Sequence, residues 1–336
     1  MLKKLLIAVV FVILALAAGV FFYLQGDKGV QKSVRVYIPR GATAQSVKDS
    51  LVSTLGDDYG TKVYNFWKVE SGDVAKANGS YVVNPGEKAY SVAHRIANGR
   101  QTPVRLTVNV ARTLGDLSQA IASKVEATHD EISAAIDSVV ADGEEYSGKA
   151  QFIAAILPDT YEVYWNESPE KIIATLTMWR DRFWNDDRRA KAAALGLTPV
   201  EVTTLASIVE EESNKSKEQP VIARLYLNRL EKGMKLQADP TVKFAYGDFT
   251  IKRITSKHLD VESPYNTYKY AGLPPGPIRM PQKATIDAVL DAPHNNYLYM
   301  CAKEDFSGYH NFAVDYNTHL KNARRYVEAL NKRGIH

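Results

Sequence analysis

Three consecutive carboxylates close an apolar run in this chain, Leu205-Ala206-Ser207-Ile208-Val209-Glu210-Glu211-Glu212-Ser213. Carboxylates are costly to bury unless they are paired or protonated. A glutamate that follows such a run into an apolar setting has a raised pKa, which is what a general acid needs near neutral pH. Val202, Leu205, Ala206, Ile208 and Val209 gather on one helical face at about 100° per residue. On that wheel Glu212 falls inside the stripe, Glu210 at its edge and Glu211 away from it. Periodicity leaves Glu210 and Glu212 both open, beside the plainer reading of a helix end with three solvated acids.

The helix that must position these acids has a legible start. Thr198 is placed to cap its orphan N–H groups, Pro199 suits the first helical position, and Glu201 completes a capping box. Gln219 to Leu230 reads as a neighbouring helix that Gly233 ends. Lys171 to Trp184 is amphipathic, Lys321 to Lys332 reads as a terminal helix, and Thr113 to Val140 is helix-rich, with Leu117, Ile121, Val125, Ile132 and Ile136 at helical spacing. Nearer the N-terminus, Val34 to Ile38 alternates like a strand. It turns at Pro39-Arg40-Gly41 into a helix from Thr43 to Leu51 with Val47 and Leu51 inward. A second copy runs from Tyr81-Val82-Val83 through Pro85-Gly86 to a helix with Val92 and Ile96 inward. Val104 to Val108 closes the pair into one small module. The class is α+β; neither alternating βαβ units nor a glycine-rich phosphate loop is present.

Leu5 to Leu24 is an unbroken apolar run, long enough to span a bilayer as a helix. Lys3 and Lys4 precede it, so the positive-inside rule leaves residues 1–4 in the cytoplasm and everything after Gln25 outside. The run is longer than a signal-peptide core, which favours a retained anchor over a cleaved leader. Residues 25–33 form a short polar tether. The domain organisation is therefore a tail 1–4, a transmembrane helix 5–24, a linker 25–33, a small module 34–109 and a larger domain 110–336, whose part 110–197 is helical. Cys301 is the only cysteine of the 336 residues, which excludes an intramolecular disulfide; its apolar surroundings read as a buried strand. The formal charge of +4 is mild, and no basic block with interleaved aromatics points to nucleic acid. The seven histidines show no metal-ligand spacing, so no metal or other cofactor is expected.

Several segments, in order, carry a resemblance. Ala206-Ser207-Ile208-Val209-Glu210 followed by Glu212 resembles an A-S-I-V-E-x-E segment, and Leu157-Pro158-Asp159-Thr160-Tyr161 resembles F-P-D-T-Y. Asn228-Arg229-Leu230 precedes Leu236-Gln237-Ala238-Asp239-Pro240-Thr241, similar to L-Q-x-D-P-T. Tyr265-Asn266-Thr267-Tyr268 and Gly272 to Ile278 are similar to Y-N-T-Y and G-L-P-P-G-P-I. Tyr297-Leu298-Tyr299 and His310-Asn311-Phe312 resemble closing strands. Together these resemble the YceG-like (MltG) family of endolytic murein transglycosylases. Glu211 stands where members often carry Lys, Leu157 replaces an aromatic, and Asn317-Thr318-His319 follows the usual tail loosely.

The resemblance implies a LysM-like fold for the small module and a lytic transglycosylase that cuts the MurNAc–GlcNAc bond and leaves a 1,6-anhydroMurNAc end. It implies Glu210 as the catalytic residue. Gln237, Asn266, Tyr265 and Tyr268 are expected to meet N-acetyl groups, hydroxyls and pyranose faces, with Thr241, Glu212 and His310 also in the groove; Asp239 reads equally as a turn residue, a cap or a catalytic partner. The implied partners are peptidoglycan strands, the cytoplasmic membrane and the glycan polymerases or penicillin-binding proteins of wall synthesis, with a role in ending strand growth. A non-catalytic wall-binding scaffold and a hydrolytic muramidase are the rival readings.

Overall fold

Local sequence rules set most of the observed helix ends. The computed structural model describes residues 9, 11–13, 15, 19, 29–109, 111–142, 146, 148–251 and 253–334. Apart from the isolated positions just named, the expected anchor 5–24 lies outside the described residues, as do the tail 1–4 and the linker positions 25–28. Among the described residues, no single helix is long and apolar enough to cross a membrane.

The chain divides into two units. The first comprises the described residues up to Leu106 with Ala122–Thr128 and Glu162–Ser168; the second comprises Thr107–Ile121, His129–Tyr161 and residues from Pro169 onward. The first unit contains β1 (Val34–Ile38), α1 (Ala44–Leu55), α2 (Asp57–Glu70), α3 (Val74–Ala77), β2 (Gly79–Val83) and α4 (Ala89–Ala97). β1 and β2 pair antiparallel, with Val36 opposite Tyr81 and Ile38 opposite Gly79. The two strand–turn–helix copies are present. Gly41 and Gly86 both take positive φ, 72° and 79°, at the turns, a conformation open to glycine without a Cβ clash. Val47, Leu51, Val92 and Ile96 are fully buried with Trp67 and Tyr81 in the unit's own core.

The chain passes between the units five times: within β3 (Val104–Val108), after Ile121, after Thr128, within β4 (Asp159–Val163) and after Ser168. The second unit holds α5 (Leu114–Ala122), α6 (His129–Asp142), α7 (Lys149–Phe152), α8 (Pro169–Phe183), α9 (Asp186–Ala194) and α10 (Pro199–Glu212). After them come α11 (Gln219–Glu231), α12 (Asp239–Tyr246), α13 (Ser256–Leu259), α14 (Lys283–Leu290), the antiparallel pair β5 (Tyr299–Ala302) and β6 (His310–Ala313), and α15 (Tyr316–Lys332). The architecture is mixed α+β, helices with small sheets. α15 begins five residues before the periodicity suggested, because the Asp315 side chain accepts from the Thr318 N–H and caps it.

Candidate active site

α10 starts as its sequence dictates. The Thr198 hydroxyl accepts from the Glu201 N–H at 3.2 Å, and the Glu201 carboxylate accepts from the Thr198 N–H at 2.7 Å. From Val202 to Val209 every residue is buried, Thr203, Thr204 and Ser207 included. The helix is therefore enclosed all round, not packed by one stripe. Its hydroxyls are satisfied locally: Thr203 donates to the Pro199 carbonyl, Thr204 to Val200 and Ser207 to Thr204. Ser207 also accepts from the Ile278 N–H at 3.0 Å. With protein on every side, the three terminal acids emerge against other elements: Glu210 and Glu211 share Arg279, while Glu212 meets α11.

Glu210, the residue that the resemblance implies as catalyst, meets the start of α14. Its Oε2 accepts from the Gln282 N–H and from the Thr285 hydroxyl, both at 2.7 Å. Its Oε1 lies 3.2 Å from Arg279 Nη2, and only 10% of the side chain is exposed. No side chain of α14's own N-terminus caps that helix, so Glu210 supplies the acceptor from α10 and pairs with the Arg279 guanidinium beside it. Every named partner is a structural group, and the carboxylate ties two core helices together. Glu211 likewise takes Arg112 at 2.9 Å and Arg279 at 2.5 Å.

Glu212 lines a cleft of about 200 Å³ with Tyr226, Arg229, Gln237, Asp239, Tyr268, Cys301 and His310. Tyr226, in α11, donates to Glu212 Oε1 at 2.8 Å. Burial pushes the Glu212 carboxyl up to about 7, and the charge of Asp239 adds to the rise. The Tyr226 hydrogen bond and the positive potential of His310 and Arg229 oppose it without cancelling it. A carboxyl in this state is protonated for much of the time near neutrality and becomes a stable carboxylate on modest demand, the two states an acid–base catalyst alternates between.

The structure brings three of the expected groove residues to this acid. Gln237 lines the cleft from a left-handed backbone conformation, φ 50°, which its N–H bond to the Thr267 carbonyl at 3.1 Å holds in place. Non-glycine residues sit there only when their surroundings over-determine it. Tyr268 donates to Asp239 Oδ1 at 2.6 Å. His310 is fixed by the buried Glu218, whose oxygens accept from its backbone N–H at 2.7 Å and bond its Nδ1 at 2.9 Å. Since a carboxylate only accepts, this bond assigns the proton to Nδ1.

Three others are not brought there. Asn266 is fully buried; its amide donates to the Leu259 and Val261 carbonyls at 2.8 and 2.9 Å, and its Oδ1 accepts from the Tyr268 N–H. It shapes the loop that carries Tyr268. Thr241 is fully buried in a hydroxyl pair with Thr267 at 2.8 Å. Tyr265 packs on the core against Phe244, ring centroids 4.6 Å apart. Cys301, expected in a buried strand, is in β5 but only partly buried and faces the cleft, where burial and Glu304 raise its thiol pKa. That leaves it a thiol, not a nucleophilic thiolate.

Sequence reading assigned no role to Tyr226 or Arg229. Their spacing of three residues on α11 puts both on one helical face, a signal available beforehand but unweighted without knowing what that face meets. Arg229 donates to the Leu298 carbonyl at 2.6 Å and the Leu236 carbonyl at 2.7 Å, so the cleft is built around its guanidinium. Among the described residues no group of His, Cys, Asp and Glu is arranged to hold a metal ion.

The YceG-like family model matches residues 36–325. An endolytic murein transglycosylase of Bacillus subtilis (strain 168) is 25% identical over 324 residues, covering 91% of this chain and 88% of that protein. One from Streptococcus pneumoniae serotype 2 (strain D39) is 24% identical over 360 residues; it covers 95% of this chain, which spans 64% of that longer protein. A crystal structure of a YceG-like protein from Listeria monocytogenes shares the fold with a TM-score of 0.57 at 24% identity, over 87% of this chain and 99% of that one. With its family match running from the first strand into the last helix, the chain belongs to the YceG-like family.

Proposed function

We propose that this protein is an endolytic murein transglycosylase and that Glu212 is its acid–base residue. The observation that carries the reading is one carboxyl, raised to about 7, in a cleft lined by hydrogen-bonding side chains and held at one oxygen by Tyr226. The relatives named for this activity support the substrate class. Glu212 gives its proton to the oxygen leaving C1 of MurNAc, and the C1–O bond breaks. The resulting carboxylate takes the proton of the C6 hydroxyl of the same sugar as that oxygen bonds to C1. The product carries a 1,6-anhydro ring, and the enzyme returns to its starting protonation state. Ring closure within one sugar has a proximity advantage over attack by water. Tyr226 occupies Oε1 and so leaves Oε2 for both transfers. Gln237 and Tyr268 orient the sugar, and His310 presents Nε2 to it.

Glu212 takes the place of Glu210, because the bonds of Glu210 are spent on Arg279 and the start of α14. The likeness that suggested Glu210 contains both acids and is satisfied by either. Asp239 in the same cleft favours one second reading, a hydrolytic muramidase in which it serves as base to a water. Mass spectrometry of products from purified sacculi separates the two: anhydro ends support the transglycosylase, and reducing ends overturn it. Glu212→Gln abolishes product on this reading; undiminished turnover by that variant would remove Glu212 from the mechanism.

An anchor at 5–24 holds the enzyme at the outer face of the cytoplasmic membrane, the small module is LysM-like, and cleavage beside the glycan polymerases ends strand growth. A reporter fused after His336 that registers in the cytoplasm would sink the topology.

A further inference from the structure

The first unit holds a cavity of about 410 Å³ to which the proposed activity assigns no role. Arg35, Tyr37, Arg105, Lys124 and Trp165 are among its lining. Tyr37 and Trp165 stand with ring centroids 4.9 Å apart and planes inclined by 53°, two walls of one aromatic corner. Arg35 is anchored from behind: Nη1 donates to Ser80 Oγ at 2.8 Å and to the Thr102 carbonyl at 2.7 Å, and Nη2 to the Pro103 carbonyl at 3.0 Å. The fork of a guanidinium has further N–H groups to offer, so Arg35 is both fixed and able to donate.

Arg105 and Lys124 are exposed, and no carboxylate is among the lining residues. Glu126, the acid adjoining that lining, is taken up by Arg40 at 2.7 and 2.9 Å. Three cations thus line the cavity beside two aromatic faces, with no carboxylate among the described lining residues. Aromatic faces pack on the C–H faces of a pyranose, and a fixed guanidinium pairs with a carboxylate. A neutral sugar would use the rings and leave the cations unmatched, whereas a phospholipid headgroup would match the cations and leave the rings without a flat partner.

We infer that this cavity binds an anionic sugar conjugate, namely a murein sugar together with the carboxylates of the peptide it carries. Murein as the source rests on the proposed function; the anionic-ring chemistry does not.

The test uses full-length protein with Glu212→Gln, to prevent turnover, titrated with a disaccharide-tetrapeptide, with the neutral N-acetylglucosamine disaccharide and with phosphatidylglycerol vesicles. The peptide-bearing ligand is expected to bind at least about tenfold tighter than the neutral sugar. R105E/K124E should weaken it by about tenfold or more, and Trp165→Ala should weaken it as well. The matched charge change K32E/R100E, outside the cavity, should leave affinity within about twofold. Equal affinity for peptide-bearing and neutral sugars overturns the inference, as does unchanged binding by R105E/K124E or a loss confined to the vesicles. Cleavage of sacculi is scored separately with Glu212 intact. A protein that binds the conjugate through this cavity yet cuts no murein would refute the activity and leave the inference standing.

Discussion

Exchanging Glu212 for Gln should destroy activity and raise stability, and the combination is diagnostic. The folded-state carboxyl titrates at about 7 against an ordinary value of 4.5. Its pKa is raised, so folding favours the protonated form. Below pH 4.5 the group is protonated in both states and costs nothing. Between 4.5 and 7 the unfolded chain ionises while the folded one does not, and stability falls. Above pH 7 the loss is complete, and a shift of this size corresponds to about 3 kcal/mol. Gln keeps an acceptor for the Tyr226 hydroxyl and has no charge to desolvate. Glu212→Gln is therefore expected to stabilise the second unit by up to about 3 kcal/mol at pH 8, or about 5–10 °C in Tm, with little change at pH 4.5. Differential scanning calorimetry at both pH values, with the two units' transitions resolved, measures it. Removal of the general acid should lower turnover by about 10²–10⁴-fold. An active variant, or one no more stable than the parent at pH 8, would refute the claim that Glu212 is a partly buried acid whose pKa the fold raises.

Glu210→Gln should behave in the opposite way: it loses the Arg279 pair, costs about 1–3 kcal/mol and retains anhydro-product formation, as thermal melts and product analysis together would show. Because the acid must be protonated, kcat/KM should fall as pH rises through about 7. Asp239→Asn removes a charge that raises the Glu212 pKa and should move that alkaline limb down, while Tyr226→Phe removes a bond that lowers it and should move the limb up; limbs that stay put in both would detach Glu212 from the profile. Asn266→Ala orphans the Leu259 and Val261 carbonyls and should destabilise the fold by about 2–3 kcal/mol, read by denaturant titration, with activity lost in proportion to folded protein.

The sequence alone settled what is governed by near neighbours. The capping box of Thr198 and Glu201, Pro199 at the first turn and the paired glycine turns at Gly41 and Gly86 are interactions within a few residues, so their residue types suffice. The inward faces of α1 and α4 follow from periodicity, because each helix buries a single side. The motif spacing likewise carried the family. The choice between Glu210 and Glu212 was not available at that level. A helical wheel separates an apolar side from a wet one, and α10 has no wet side along most of its length. What distinguishes the two acids is what each meets: the N-terminus of α14, more than seventy residues away, or the Tyr226 hydroxyl of a packed neighbour. His310 shows the same dependence, since its tautomer is assigned by Glu218, ninety-two residues earlier in the chain. Residue type decides which chemistry a side chain is capable of; burial and long-range hydrogen bonds decide which capability is left unused by the fold and therefore open to a substrate.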